Sequence, residues 1–406
     1  MVIIGLGMYV FMVIFNIVYA VPDFAVVEAN SNKYKTAESS IQTSSVPQFN
    51  FESKAQVLME ATTGEILYAN NENEKLLPAS VTKIMTMLLI MEKIDSGALK
   101  YTDSITCSSL ASGMGGSQIW FKEGETLTVE EALKCIAVVS ANDVSVAMAE
   151  HIGGSHENFV KMMNDKAKAL GMENTNFMNA HGIDEEGHYT TAKDIAIMSR
   201  ELITRHPDIL KYTTIWMDSI RGGEFELSST NKLLKTYEGL TGLKTGSTSQ
   251  ALFNLSATAT RDNMSLIAVV LKAPTSEKRN AEITTLLNYG FSTYSSKTLS
   301  KKGEKVTSIN INKNIDKNVD AVFESTEGVL YKKGENEEYE QVVELNKNIS
   351  APIAQNTVVG KVKFMTKTGE IYKEINLVVN EKIDRSTLWS YITRIVKTYG
   401  IRGLKI

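Results

Sequence analysis

The sequence is poor in cysteine, proline and histidine, and neither sign of charge dominates it. Two cysteines, Cys107 and Cys135, cannot build a disulfide scaffold in 406 residues. Cys135 lies in the apolar run 132–139 and reads as a buried free thiol, although export would permit a bond to Cys107. Five histidines (His151, His156, His181, His188 and His206) form no His-Glu-x-x-His, and no Cys/His ligand spacing appears, so neither a metal nor a cofactor is expected. With 43 basic and 47 acidic residues the net charge is -4, which offers nucleic acid no attractive field and excludes it as an expected partner. Only 6 prolines beside 26 glycines, at 43% hydrophobic and 22% charged residues, leave a folded globular protein longer than one typical domain.

Long apolar runs are scarce as well, and the one at the start is conspicuous. Residues 1–20 carry no charged side chain, which fits an export signal or a single membrane span. Small residues suit cleavage after Ala20 or Ala29, so 1–29 is expected to be a signal peptide or N-terminal membrane segment. Residues 30–52 are polar and aperiodic, and read as a flexible linker.

The segment 53–300 reads as α/β. Two short apolar runs around Thr63-Gly64 predict a hairpin at its start, and Pro78 introduces a helix running through the Met/Leu/Ile-rich 84–95. Helical periodicity recurs near 128–139, 143–152, 156–170 and 191–205, with Thr128 and Glu131 spaced as a capping box. Strand character returns at 242–245, 252–259 and 264–271, before a helix over 277–290. Strands at both ends of a helical insert predict a helical subdomain beside a sheet. Residues 301–384 alternate with period two at 359–364 and 371–379, which predicts a separate small all-β domain.

The terminal segment 385–406 places Leu388, Ile392, Ile395, Val396 and Tyr399 at helical spacing, with Trp389 and Tyr391 beside the stripe. It carries five positive charges, and no acidic residue follows Asp384. An amphipathic, basic, Trp-bearing helix suits an anionic membrane interface; the alternative is a helix docked on its own β domain.

Three polar motifs carry the chemistry: Ser80-Val81-Thr82-Lys83, Ser140-Ala141-Asn142 and Lys244-Thr245-Gly246. Each is weak alone, and the chain holds chance matches at Ser229…Lys232 and Lys367-Thr368-Gly369. A serine hydroxyl becomes a nucleophile only when a base removes its proton. On a helix Lys83 lies one turn from Ser80 and can reach it. To act as a base near neutral pH it must be desolvated or sit beside another cation, and Lys244 is the candidate. Ser140 can pass a proton to a leaving amine, and Asn142 can offer its amide to a substrate carbonyl or to Lys83. Lys244 and Thr245 are expected to face a substrate carboxylate, with Gly246 leaving room along the strand edge. The backbone N–H groups of Ser80 and Ser247 would form an oxyanion hole.

These motifs and their surroundings resemble the low-molecular-weight penicillin-binding proteins, the serine-type D-alanyl-D-alanine carboxypeptidases of peptidase family S11, of the sporulation-associated Gram-positive kind. The resemblance runs over about 53–300. It rests on Leu77-Pro78-Ala79-Ser80-Val81-Thr82-Lys83, Ser140-Ala141-Asn142-Asp143, the run 170–177, His181-Gly182-Ile183-Asp184, the run 190–194 and Gly242-Leu243-Lys244-Thr245-Gly246-Ser247-Thr248. It implies the serine β-lactamase/DD-peptidase-like fold, release of the terminal D-alanine from peptidoglycan stem pentapeptides through an acyl-serine, and covalent inhibition by β-lactams. It further implies an exported protein held at the outer face of the cytoplasmic membrane, and a substrate-binding role for Arg279. One departure stands out: the family carries Ala-Gly before an aromatic where this chain has Ala251-Leu252-Phe253. A class A-type β-lactamase would need a Glu-x-x-Leu-Asn run, which is missing between Ser140 and Lys244. Endopeptidase action on cross-links, and a catalytically weak wall-binding or sensing protein, are the remaining alternatives.

Overall fold

The computed structural model describes residues 47–314, 318–335 and 338–399; the expected leader and most of the linker lie outside them. The strand Ala55–Glu60 alternates its apolar side chains between two cores. Val57 and Met59 pack toward the helical subdomain, and Leu58 packs on the opposite face. That alternation is the period-two geometry of a strand buried on both sides. Its hairpin partner Ile66–Asn70 forms one edge of a five-stranded sheet. The order continues through Ala55–Glu60, Met264–Ala273 and Leu252–Arg261 to Leu240–Thr248 at the other edge, every pair antiparallel.

One face of this sheet is covered by the helix Ser276–Thr293, through Ile283, Leu286 and Leu287. Against the other lies the helical insert, with Lys83–Asp95 at its centre. Nine consecutive residues of that helix, from Lys83 to Met91, are buried, so it is enclosed on all sides. The helices Asn142–Gly153, His156–Ala169 and Ala192–Arg205 surround it. The Thr128–Glu131 capping box forms as the spacing predicts, each side chain reaching the other's backbone N–H. The sequence did not reveal two short ribbons inside the insert, Ser104–Thr106 with Thr126–Thr128 and Met217–Ile220 with Phe225–Ser228. Segments of three or four residues are too short for a legible period. Both cysteines are buried free thiols. Burial raises the Cys107 thiol to about 11 and Cys135 further, so neither supplies a thiolate.

The small domain is all-β. A five-stranded antiparallel sheet runs in the order Lys305–Asn310, Asn318–Phe323, Ile371–Val379, Val358–Met365 and Glu340–Leu345. Its core includes Phe323, Val362, Phe364 and Leu377. Tyr294–Ser300, ahead of the change in composition at 301, already pairs with Glu327–Lys332. At this junction Lys333 Nζ donates to the Phe291 carbonyl at 2.7 Å. The final described element is the helix Leu388–Tyr399, on which Leu388 is 78% and Trp389 54% exposed.

Candidate active site

Ser80 does not sit in the α-helix itself. It lies in a 3₁₀ turn, Ala79–Thr82, that Pro78 introduces and that feeds directly into Lys83–Asp95. The tighter turn still brings the Lys83 amine within 3.0 Å of Ser80 Oγ. Two further acceptors stand 2.6 Å from Lys83 Nζ: Asn142 Oδ1 and the His181 carbonyl. A neutral amine has two N–H groups for these acceptors and one lone pair left for the serine O–H. Lys83 is fully buried, and burial, then the nearby Lys244 charge, lower its pKa far below that of a free lysine, against the opposing pull of Asp143.

Asn142 is oriented by its other end, since Nδ2 donates to the Gly115 carbonyl at 2.7 Å and thereby turns Oδ1 to Lys83. Ser140 sits between a wide π-turn, Cys135–Val139, and the helix Asn142–Gly153, with a left-handed φ of 65°. Its Oγ is buried without a hydrogen-bond partner and borders the same cavity as Ser80. An orphaned buried hydroxyl is costly unless something else uses it.

Along the edge strand Leu240–Thr248 successive side chains alternate, and this separates two residues expected to act side by side. Thr245, Gly246 and Ser247 line the cavity. Lys244 is 1% exposed and donates to the Thr245 carbonyl at 2.9 Å, with its pKa lowered to about 7 by burial and then by Arg279. Its influence on the cavity is therefore as a buried charge beneath the wall. Gly246 meets the nucleophile turn: a Cβ there would stand 2.9 Å from Pro78 O, Ser80 N and Val81 N. Arg279, on Ser276–Thr293, is 5% exposed and lines the cavity, and burial depresses its pKa to about 10. The cavity holds about 220 Å³ and is bordered by Ser80, Ser140, Thr245, Gly246, Ser247 and Arg279.

All nine candidate residues thus gather around one turn. Ser117, Thr230, Lys232, Phe253 and Ser276 also line the cavity and were not legible as site residues. Thr230 and Lys232 belong to the chance Ser229…Lys232 match; the Thr230 hydroxyl lies 2.6 Å from that of Thr245. The other chance match, 367–369, falls in the turn between two strands of the small domain. The loop carrying His181 and Gly182 underpins the nucleophile turn. Met178 N–H donates to His188 Nδ1, so the Nε2 proton is available to Thr82 Oγ1 at 2.8 Å. Among the described residues no cluster of three or more His, Cys, Asp or Glu could hold a metal.

A desolvated amine against a serine hydroxyl, in a cleft bearing buried cations, is the equipment of a serine–lysine acyl-transfer enzyme. Residues 40–275 match the D-alanyl-D-alanine carboxypeptidase family, and residues 294–385 match the penicillin-binding protein 5 C-terminal domain. The chain is 43% identical to D-alanyl-D-alanine carboxypeptidase DacF of Bacillus subtilis over 86% of its own length and 90% of the relative's. It is similar in structure to penicillin-binding protein 5 of Haemophilus influenzae, at TM-score 0.65 and 30% identity, covering 84% of this chain and all of that one. Penicillin-binding protein D2 of Listeria monocytogenes, solved in an ampicillin-bound form, aligns at TM-score 0.56 and 31% identity, covering 60% of this chain and 99% of that one. The chain belongs to the D-alanyl-D-alanine carboxypeptidase family of serine peptidases.

Proposed function

We propose that this protein removes the terminal D-alanine from peptidoglycan stem pentapeptides through an acyl-serine intermediate. The contact between Lys83 Nζ and Ser80 Oγ, inside a fully desolvated pocket, carries the reading. Neutral Lys83 accepts the Ser80 proton as Oγ attacks the carbonyl carbon of the penultimate D-alanine. The N–H groups of Ser80 and Ser247 receive the developing oxyanion. The Lys83 proton passes by way of the Ser140 hydroxyl to the departing amine, and D-alanine leaves. Water then attacks the ester, Lys83 taking its proton, and Ser80 is regenerated. Thr245 and Arg279 hold the substrate's terminal carboxylate in the cleft, with Lys244 adding its buried charge. A β-lactam, whose strained amide mimics the scissile bond, acylates Ser80 in the same way and departs slowly.

The outer face of the cytoplasmic membrane is the proposed location, with the Leu388–Tyr399 helix as peripheral anchor. Exposed Leu388 and Trp389 support it; among the described residues no helix is long and apolar enough to cross a membrane. A sporulation-associated setting is supported by the identity to DacF. Ser80→Ala should abolish D-alanine release from a synthetic pentapeptide, and should lose the persistent label that fluorescent penicillin leaves on the native protein, with its thermal midpoint retained. Undiminished release by the purified variant would refute the assignment.

A further inference from the structure

Trp120 is 66% exposed between Ile119 and Phe121, which are 0% and 1% exposed. An exposed aromatic is ordinary by itself. This one is held in place by its neighbours. One buried carboxylate oxygen, Asp143 Oδ2, accepts the N–H groups of both Ile119 and Phe121 at 3.0 Å, and Arg221 Nη1 donates to the Ile119 carbonyl at 3.1 Å. Trapped between two fixed amides, Trp120 adopts a left-handed φ of 53°, a strained conformation for a bulky residue. Phe225 backs the indole edge-on at 6.0 Å, and the Arg221 guanidinium covers Phe225 at 5.3 Å.

Both supports of this platform continue into the cleft wall. Ser117, three residues before Trp120, and Thr230, five after Phe225, line the cavity. Three extended residues span at most about 11 Å, so Trp120 stands at the rim. The surroundings decide what it can meet. Glu123, Glu224 and Glu226 are exposed on the same two segments against one exposed cation, Lys122, a net negative balance that disfavours an anionic membrane, and Trp120 is the one exposed aromatic on these segments, too little for a protein interface. A neutral sugar ring fits: its apolar C–H face packs on the electron-rich face of the indole. The four residues between a stem's scissile bond and its amino sugar cover about 13–14 Å when extended, so a sugar can reach the rim while the bond lies in the cleft.

We infer that Trp120 is a stacking platform for the amino-sugar strand of the substrate, making the enzyme favour glycan-linked stems over free peptide. This rests on the proposed carboxypeptidase activity. The test compares kcat/KM for D-alanine release from a free pentapeptide and from the same peptide on an N-acetylglucosaminyl-N-acetylmuramoyl disaccharide. Trp120→Ala should lose about tenfold on the disaccharide substrate, in KM rather than kcat, while free-peptide turnover and penicillin acylation hold, and Trp120→Phe should recover most of the loss. Equal loss on both substrates, or on neither, overturns the inference. Failure of the native protein to release D-alanine from either would refute the proposed activity instead. In that case calorimetry with the peptide-free disaccharide decides: binding lost in Trp120→Ala upholds the platform, and binding unchanged or absent in both proteins overturns it.

Discussion

Lys83 and Lys244 are both fully buried amines, yet they are needed in opposite charge states. Lys83 must be neutral to take a proton, and Lys244 must be charged to favour a carboxylate in the cleft. Raising the pH deprotonates Lys83, whose pKa burial and the Lys244 charge hold well below that of a free lysine, and so increases activity; loss of the Lys244 charge, whose pKa burial lowers to about 7, decreases it. We expect a bell-shaped kcat/KM profile, with Lys244→Arg moving the alkaline limb upward because a guanidinium stays charged. An unmoved limb would assign it to another group. Leu252 presents a different kind of residue-level conflict. It opens the strand Leu252–Arg261, at the position where the family resemblance expects glycine, and its φ is 53°. A left-handed non-glycine residue costs about 1–2 kcal/mol. Leu252→Gly should therefore raise stability by about 1 kcal/mol, less the extra unfolded-state entropy of glycine, measured by denaturant midpoint. A clear fall in the midpoint would mean that Leu252 packing outweighs the backbone strain.

Among elements, the 3₁₀ turn Ala79–Thr82 depends on what lies beneath it. Gly182 approaches so closely that a Cβ would stand 1.9 Å from the Ala79 carbonyl oxygen, with its own φ at 89°. The same loop supplies the His181 carbonyl to Lys83, so packing and base positioning share one support. Gly182→Ala should lower stability by about 2–3 kcal/mol and slow penicillin acylation more than Gly171→Ala, where a Cβ meets nothing within 4 Å although φ is 74°. Equal effects from the two would show that backbone strain alone is responsible, with no contribution from the contact with Ala79.

At the scale of the whole molecule, the residues nearest the reaction all lie on the sheet, the helical insert and the helix Ser276–Thr293, and none on the small β domain. Anchoring should then be separable from hydrolysis. On the terminal helix Leu388 is 78% and Ile392 38% exposed; burying such side chains in a membrane interface contributes about 1.5 kcal/mol or more each, and each nearby basic residue about 1. Protein lacking residues 1–29 should float with anionic liposomes at low salt. Leu388→Glu with Ile392→Glu should release it while leaving pentapeptide hydrolysis unchanged. If the parent protein fails to float, the helix has no anchoring role.

What the sequence determined by itself is local. Helical and period-two spacing placed the principal helices and the central strands within a few residues, because a buried face repeats every 3.6 or 2 residues wherever an element is long enough. Three motifs nominated Ser80, Lys83, Ser140, Asn142 and Lys244, since nucleophile and base share one helical turn and the others stand in characteristic polar triplets. Tertiary structure decided the rest. It put Ser80 in a 3₁₀ turn and set Lys244 beneath the wall that Thr245 faces. The His181 carbonyl became a Lys83 partner 98 residues away in sequence, and Thr230 and Lys232, indistinguishable from a chance match, joined the cleft lining. Such pairings depend on where loops from distant segments meet once the cores have packed. A backbone carbonyl that accepts a hydrogen bond has no side-chain identity for a sequence to display.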